Sequence, residues 1–124
     1  MGEASRRSRV VIADATYQTA PDVIEGLIER FAIDWQGKRV LLKPNMLAAW
    51  QPERAATTHP AIVKAVIHSL ESHGARVMVG DNPGAHEYGD AARAADVSGL
   101  RAAAGSLWVD LATSPVEVVV SSRF

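Results

Sequence analysis

The chain has 124 residues and a mass of 13.3 kDa, the size of one domain. Hydrophobic residues make up 48% and charged residues 22%, too apolar for a disordered chain, and no apolar run is long enough to span a bilayer as a helix. The formal charge of −1 lacks the basic excess of a dedicated nucleic-acid binder, and zero cysteines exclude disulfides, thiol chemistry and cysteine-ligated metals in this chain.

At the amino terminus, Ser5-Arg6-Arg7-Ser8-Arg9 has a twin-arginine look. The apolar stretch behind it breaks at Asp14, well short of the roughly 7–15 residues an export signal needs. The expectation is a solvated basic tail over residues 1–8, ahead of a single α/β domain. The expected location is cytoplasmic.

Three segments then repeat one pattern. Arg9-Val10-Val11-Ile12-Ala13-Asp14, Arg39-Val40-Leu41-Leu42-Lys43-Pro44 and Arg76-Val77-Met78-Val79-Gly80-Asp81 each run from Arg-Val through apolar residues to a turn. Short continuous apolar runs predict strands of a parallel sheet. Helices fit between them. Val23, Ile24, Leu27, Ile28 and Phe31 form one stripe over 21–33, and Ile62, Val63, Val66, Ile67 and Leu70 form another over 60–73. Each starts on a Pro, where a missing N–H is no loss. Gly74 suits a left-handed cap.

Residues 84–89 form a polar loop that includes His86. The Ala-rich stretch 91–104 predicts two short helices broken near Ser98-Gly99. Residues 107–111 and 116–120 predict two more strands, joined by a turn at Thr113-Ser114-Pro115. The whole predicts a three-layer α/β domain in the Rossmann-like class, with a mostly parallel sheet of about five strands.

Ligands of open α/β sheets bind beyond the carboxyl ends of the strands. That rule selects Asp14 to Tyr17, Lys43-Pro44-Asn45 and Gly80-Asp81-Asn82-Pro83-Gly84. Lys43 brings a cation to that edge, and Asn45, Thr58 and Asn82 bring hydrogen-bonding groups. Thr58 or His59 is the expected cap of the second helix, whose N–H groups are the expected seat of an anion. His59 and Asp81 form the nearest approach to an acid–base pair. Simpler readings exist for each: a Thr cap, an Asx turn at Asp81, a solvated Lys43. The dinucleotide fingerprint, the P-loop and the Gly-x-Ser-x-Gly elbow are absent.

Taken together, Val40-Leu-Leu-Lys-Pro-Asn-Met46, Ala56-Thr-Thr-His-Pro60 and Gly74-Ala-Arg-Val-Met-Val-Gly-Asp-Asn-Pro-Gly84 resemble the amino-terminal part of the domain-of-unknown-function 362 family. The resemblance covers about residues 8 to 120. It implies an uncharacterised protein binding a small anionic ligand or cofactor at the sheet edge, redox- or iron–sulfur-linked in longer relatives. A [4Fe–4S] cluster is excluded here by the lack of Cys. Members are usually longer, so the resemblance also implies a fragment, inactive as an isolated chain, that self-associates or pairs with a second half. Two alternatives stand beside it. One is a non-catalytic interaction or ligand-binding module. The other is a site similar to the lactate-racemase family, which holds a nickel-pincer nucleotide, and that similarity is one of fold alone. No metal ligand is assigned. Neither nucleic acid nor a membrane is an expected partner.

Overall fold

The computed structural model describes residues 8–84, 90–111, 113 and 116–117. The elements run α1 (Ala20–Arg30), β1 (Arg39–Leu42), a 3-10 turn at Pro52–Arg54, α2 (Pro60–Ser72), β2 (Arg76–Val79), α3 (Ala91–Val97), α4 (Leu100–Ala104) and a 3-10 turn at Gly105–Leu107. β1 and β2 pair in parallel, with Arg39 opposite Arg76, Val40 opposite Val77, Leu41 opposite Met78 and Leu42 opposite Val79. The Arg-Val repeat of the sequence is thus also the register of the ladder. A parallel pair needs a crossover, and α2 supplies it.

The helices end for local reasons. Phe31 closes α1, and Ala32 follows it at φ +49°. The helix therefore stops short of the expected Ile33. Gly74, at φ +81°, reverses the chain after α2. Its carbonyl accepts the Gly37 N–H at 2.8 Å, and the Arg76 N–H reaches Lys38 O at 2.7 Å, so the entries to both strands are tied together. Gly99 stands at φ +73° between α3 and α4, where the sequence placed the break.

One core joins these elements. Val63, Ile67 and Leu70 of α2, Val77 and Val79 of β2, Ala94, Ala95, Leu100 and Ala104 of α3–α4, and Met46 are buried together. Val40 and Leu42 pack against the same cluster. α1 packs along α2.

The sheet is smaller than the sequence predicts. Among the described residues it has two strands. Residues 9–14 do not pair into it. Val10 is 80% and Ile12 92% exposed, Arg9 sits over the Phe31 ring at 5.5 Å, and Val11 to Ala13 run beside α1. With no ladder and no covered face, β-branched residues alone do not make a strand. The predicted strand at 107–111 is reduced to one bridge. Trp108 pairs with Val79, and the Val109 N–H donates to Val79 O at 2.8 Å, while Leu107 is taken up by the 3-10 turn. Val116 and Glu117 are not strand, Val116 is 82% exposed, and 118–120 lie outside the described residues. Of the three layers expected, the described residues show the sheet and one helical layer. The core residues of both strands face one helical layer, while Arg39, Leu41 and Arg76 on the opposite face are exposed.

Candidate functional site at the carboxyl edge of the sheet

β1 ends at Leu42 and β2 at Val79, so Lys43 and Asp81 leave adjacent strands in the same direction. Their side chains meet. Lys43 Nζ lies 2.5 Å from Asp81 Oδ1, with the lysine side chain 64% and the aspartate 3% exposed. Oδ1 has no hydrogen bond of good geometry, so this contact is charge against charge. The second oxygen, Oδ2, accepts the Met46 N–H at 2.8 Å. Asp81 therefore pins the loop after β1 and anchors an ammonium that stays largely in water. A buried carboxylate needs such partners.

Asn45 joins this loop to the start of α2. Its N–H donates to Thr58 Oγ1 at 2.9 Å, the Thr58 N–H donates to Asn45 O at 2.9 Å, and its side-chain amide donates to Ala56 O at 3.0 Å. Thr58 is thus a bridge to the β1 loop and does not cap α2. His59 is the cap. Its Nδ1 accepts the Ala61 N–H at 3.2 Å, and its carbonyl accepts from Ile62 and Val63. The first-turn N–H groups expected to seat an anion are already paired within the chain.

This cap sets the chemistry of His59. An Nδ1 that accepts a hydrogen bond carries no proton, so the neutral ring holds its proton on Nε2. Tyr17 stacks on that ring, with centroids 3.7 Å apart and planes 14° off parallel. Of the three segments selected at the sheet edge, two meet through Lys43 and Asp81, while Tyr17 of the third stacks on His59 at the start of α2. No hydrogen bond or ion pair joins His59 to Asp81 among the described residues. Asn82 is exposed beside Asp81, and the Thr57 hydroxyl is buried without a hydrogen-bond partner among the described residues. His86 lies outside the described residues.

A second polar cluster escaped the sequence reading. Glu25 of α1 accepts from the buried Ser69 hydroxyl of α2 and meets His73 Nε2 at 2.7 Å. Ser69 holds the Glu25 carboxyl below its ordinary value of 4.5; desolvation opposes this, and the hydrogen bond and charge of His73 add to it. Glu29, one turn along α1, brings a third donor atom within 4.8 Å of the others. The cluster clamps two packed helices. Its members are spaced 44 and 48 residues from Glu25, so no local pattern announces it.

A model of the family described as Domain of unknown function (DUF362) matches residues 40–122. The chain belongs to this family. The matched stretch holds Lys43, Asn45, Thr58, His59, Asp81 and Asn82, while α1 and the segment before it precede it. Among curated relatives, the thylakoid-associated protein sll1697 of Synechocystis sp. is 43% identical over 47 residues. That match covers 38% of this chain and 15% of the relative, so the relative is much the longer protein. No solved structure matches. Among the described residues, no helix of this DUF362 chain is long and apolar enough to cross a membrane.

Proposed function

We propose that this DUF362 chain holds a small anionic ligand at the carboxyl edge of its parallel sheet. The observation that carries the reading is the Lys43–Asp81 pair. A 3%-exposed carboxylate fixes a lysine whose side chain is 64% exposed, so the cation is positioned and still open to a ligand. Lys43 supplies the charge. Asp81 is a positioning residue, acting on the ligand through Lys43 and through the Met46 N–H. Asn82 and the Nε2–H of His59 supply further donors, and Tyr17 holds the imidazole plane.

The tautomer of His59 defines what it can do. With Nδ1 engaged by the helix, the neutral ring donates a hydrogen bond from Nε2 toward a ligand, and acting as an acid would first require Nδ1 to leave the cap and take up a proton. Acting as a base there would require the cap to release Nδ1 first. Asn45 and Thr58 shape the loop through the Thr58 hydroxyl and one backbone contact, so their part is to fix the position of Lys43.

Calorimetric titration with inorganic phosphate, carboxylates and nucleotides tests the reading on the wild type, Lys43→Ala, Thr58→Val and Asp81→Asn. A charge-assisted contact is worth about 1.5–3 kcal/mol, so Lys43→Ala is expected to weaken binding roughly ten- to a hundredfold. Binding that stays within about twofold (under roughly 0.5 kcal/mol) in all three variants places the ligand elsewhere.

A further inference from the structure

The open face of the sheet carries its own pattern. Val40, Leu42, Val77 and Val79 turn to the core, so Arg39, Leu41, Arg76 and Met78 share the other face. Arg39 and Arg76 are exposed and directly opposite each other in the ladder. Among the described residues neither has a carboxylate partner; the Arg76 guanidinium donates to Gly37 O at 3.3 Å. Like charges placed opposite one another repel, so this row is destabilised until an anion lies over it. The next row is apolar. Leu41 is 46% exposed, and Met78 beside it is half-buried.

Parallel sheets are found almost only with both faces covered, and the usual cover is a helix. The two rows suit one. Residues two apart on a strand lie about 6.6 Å apart, and residues four apart on a helix rise about 6 Å. A helix lying along the strands therefore sets one side chain over the arginines and the one four positions away over Leu41 and Met78. Just past β2, a Cβ on Gly80 would meet Val109 O at 2.7 Å.

We propose that this face docks an amphipathic helix of another polypeptide that carries Asp or Glu over the Arg39–Arg76 row and an aliphatic residue four positions away over Leu41 and Met78. The carboxylate bridges the two guanidinium groups, and the aliphatic side chain covers the apolar row. This inference uses none of the residues of the proposed ligand site.

The test uses the full chain and two hydrocarbon-stapled helical peptides of about five turns. One presents Glu and Leu at i and i+4. The other has every Glu replaced by Lys. Fluorescence anisotropy at low salt is expected to show binding of the acidic peptide alone. R39E/R76E is expected to lose it by at least roughly tenfold and to gain the lysine peptide, and Leu41→Glu to weaken the acidic peptide. If R39E/R76E loses its native circular dichroism, R39Q/R76Q takes its place and is expected to lose the acidic preference. The proposal is overturned by no binding, by equal binding of both peptides, or by an unchanged affinity in the charge variants. It is equally overturned if the chain ignores both peptides and sediments with phosphatidylglycerol vesicles, which would make this a membrane face.

Discussion

Asn45 and Thr58 exchange hydrogen bonds in both directions. The Asn45 N–H donates to the Thr58 hydroxyl oxygen, and the Thr58 N–H returns to the Asn45 carbonyl, each at 2.9 Å. The pair closes the loop between β1 and α2 like one rung of a ladder. Thr58→Val removes an acceptor without changing shape and strands one N–H. The expected cost is about 1 kcal/mol, since the site is only half-buried. Thr58→Ser keeps the oxygen and is expected to stay within about 0.5 kcal/mol of wild type. Urea denaturation of the two variants separates the hydroxyl from the methyl.

Asp81→Ala and Asp81→Asn are expected to respond unequally. Asp81→Ala loses both the ion pair and the acceptor of the buried Met46 N–H, whereas Asp81→Asn keeps an oxygen for that N–H. Alanine is therefore expected to cost about 1–3 kcal/mol, and asparagine less. Lys43→Met leaves the buried Asp81 carboxylate with the Met46 N–H but no counter-charge and is expected to cost about 1–3 kcal/mol, more than the loss of a pair exposed on both sides. Thermal unfolding of the three variants gives the order. An Asp81→Asn as damaging as Asp81→Ala would mean that the charge, and not the N–H contact, holds the loop.

Acid should loosen the packing of α1 on α2 through Glu25. Its carboxyl sits below the ordinary value of 4.5 because Ser69, and then His73, stabilise the charged form. A group with a depressed folded value releases its proton more readily in the native state. Its contribution to stability is thus present above 4.5 and is lost as pH falls through the folded value. Wild type is expected to lose stability on acidification more steeply than Glu25→Gln over this window, measured by denaturant midpoints from neutral pH downward. Parallel curves would show that Glu25 gains nothing from its clamp.

Gly80→Ala tests how closely the chain after α4 approaches β2. A Cβ there would meet the Val109 carbonyl oxygen at 2.7 Å, a backbone atom that cannot rotate away. The bridge from Val79 to Trp108 must shift to admit it. Overpacking of this kind costs about 1–3 kcal/mol, and the Val109 amide, bonded to Val79 O, should lose hydrogen-exchange protection first. Protection unchanged at Val109 would mean that the segment yields without cost.

The parts of this fold that were legible share one property: they follow from short-range periodicity. The stripes of α1 and α2, the break at Gly99 and the in-register Arg-Val repeat all come from neighbours within a turn or a ladder rung. The segment 9–14 carries the same repeat as β1 and β2 yet lies unpaired beside α1, because pairing depends on an edge that no local pattern describes. The candidate site divides in the same way. Strand ends placed Lys43 and Asp81 together, since the carboxyl ends of adjacent parallel strands must lie side by side. The Tyr17–His59 stack and the Glu25–Ser69–His73 clamp depend on how loops and helices settle in three dimensions.

His59 offers the means to separate folding from binding. Its Nδ1 performs the N-cap function on α2, a task for which Asp and Asn are better suited than His. His59→Asp should keep the cap and add a carboxylate at the positive end of the helix, for a stability equal to wild type or higher by about 0.3–1 kcal/mol. His59→Ala removes the cap and is expected to cost about 0.5–2 kcal/mol. Neither variant keeps an Nε2–H, and His59→Asn keeps the cap without adding charge. If His59 serves the ligand as well as the helix, His59→Asn binds phosphate more weakly than wild type while keeping its unfolding temperature, so binding and stability part. If His59 serves the helix alone, binding follows stability, and the alanine variant is the worse on both counts. Calorimetric titration and thermal unfolding of the same preparations decide between these outcomes.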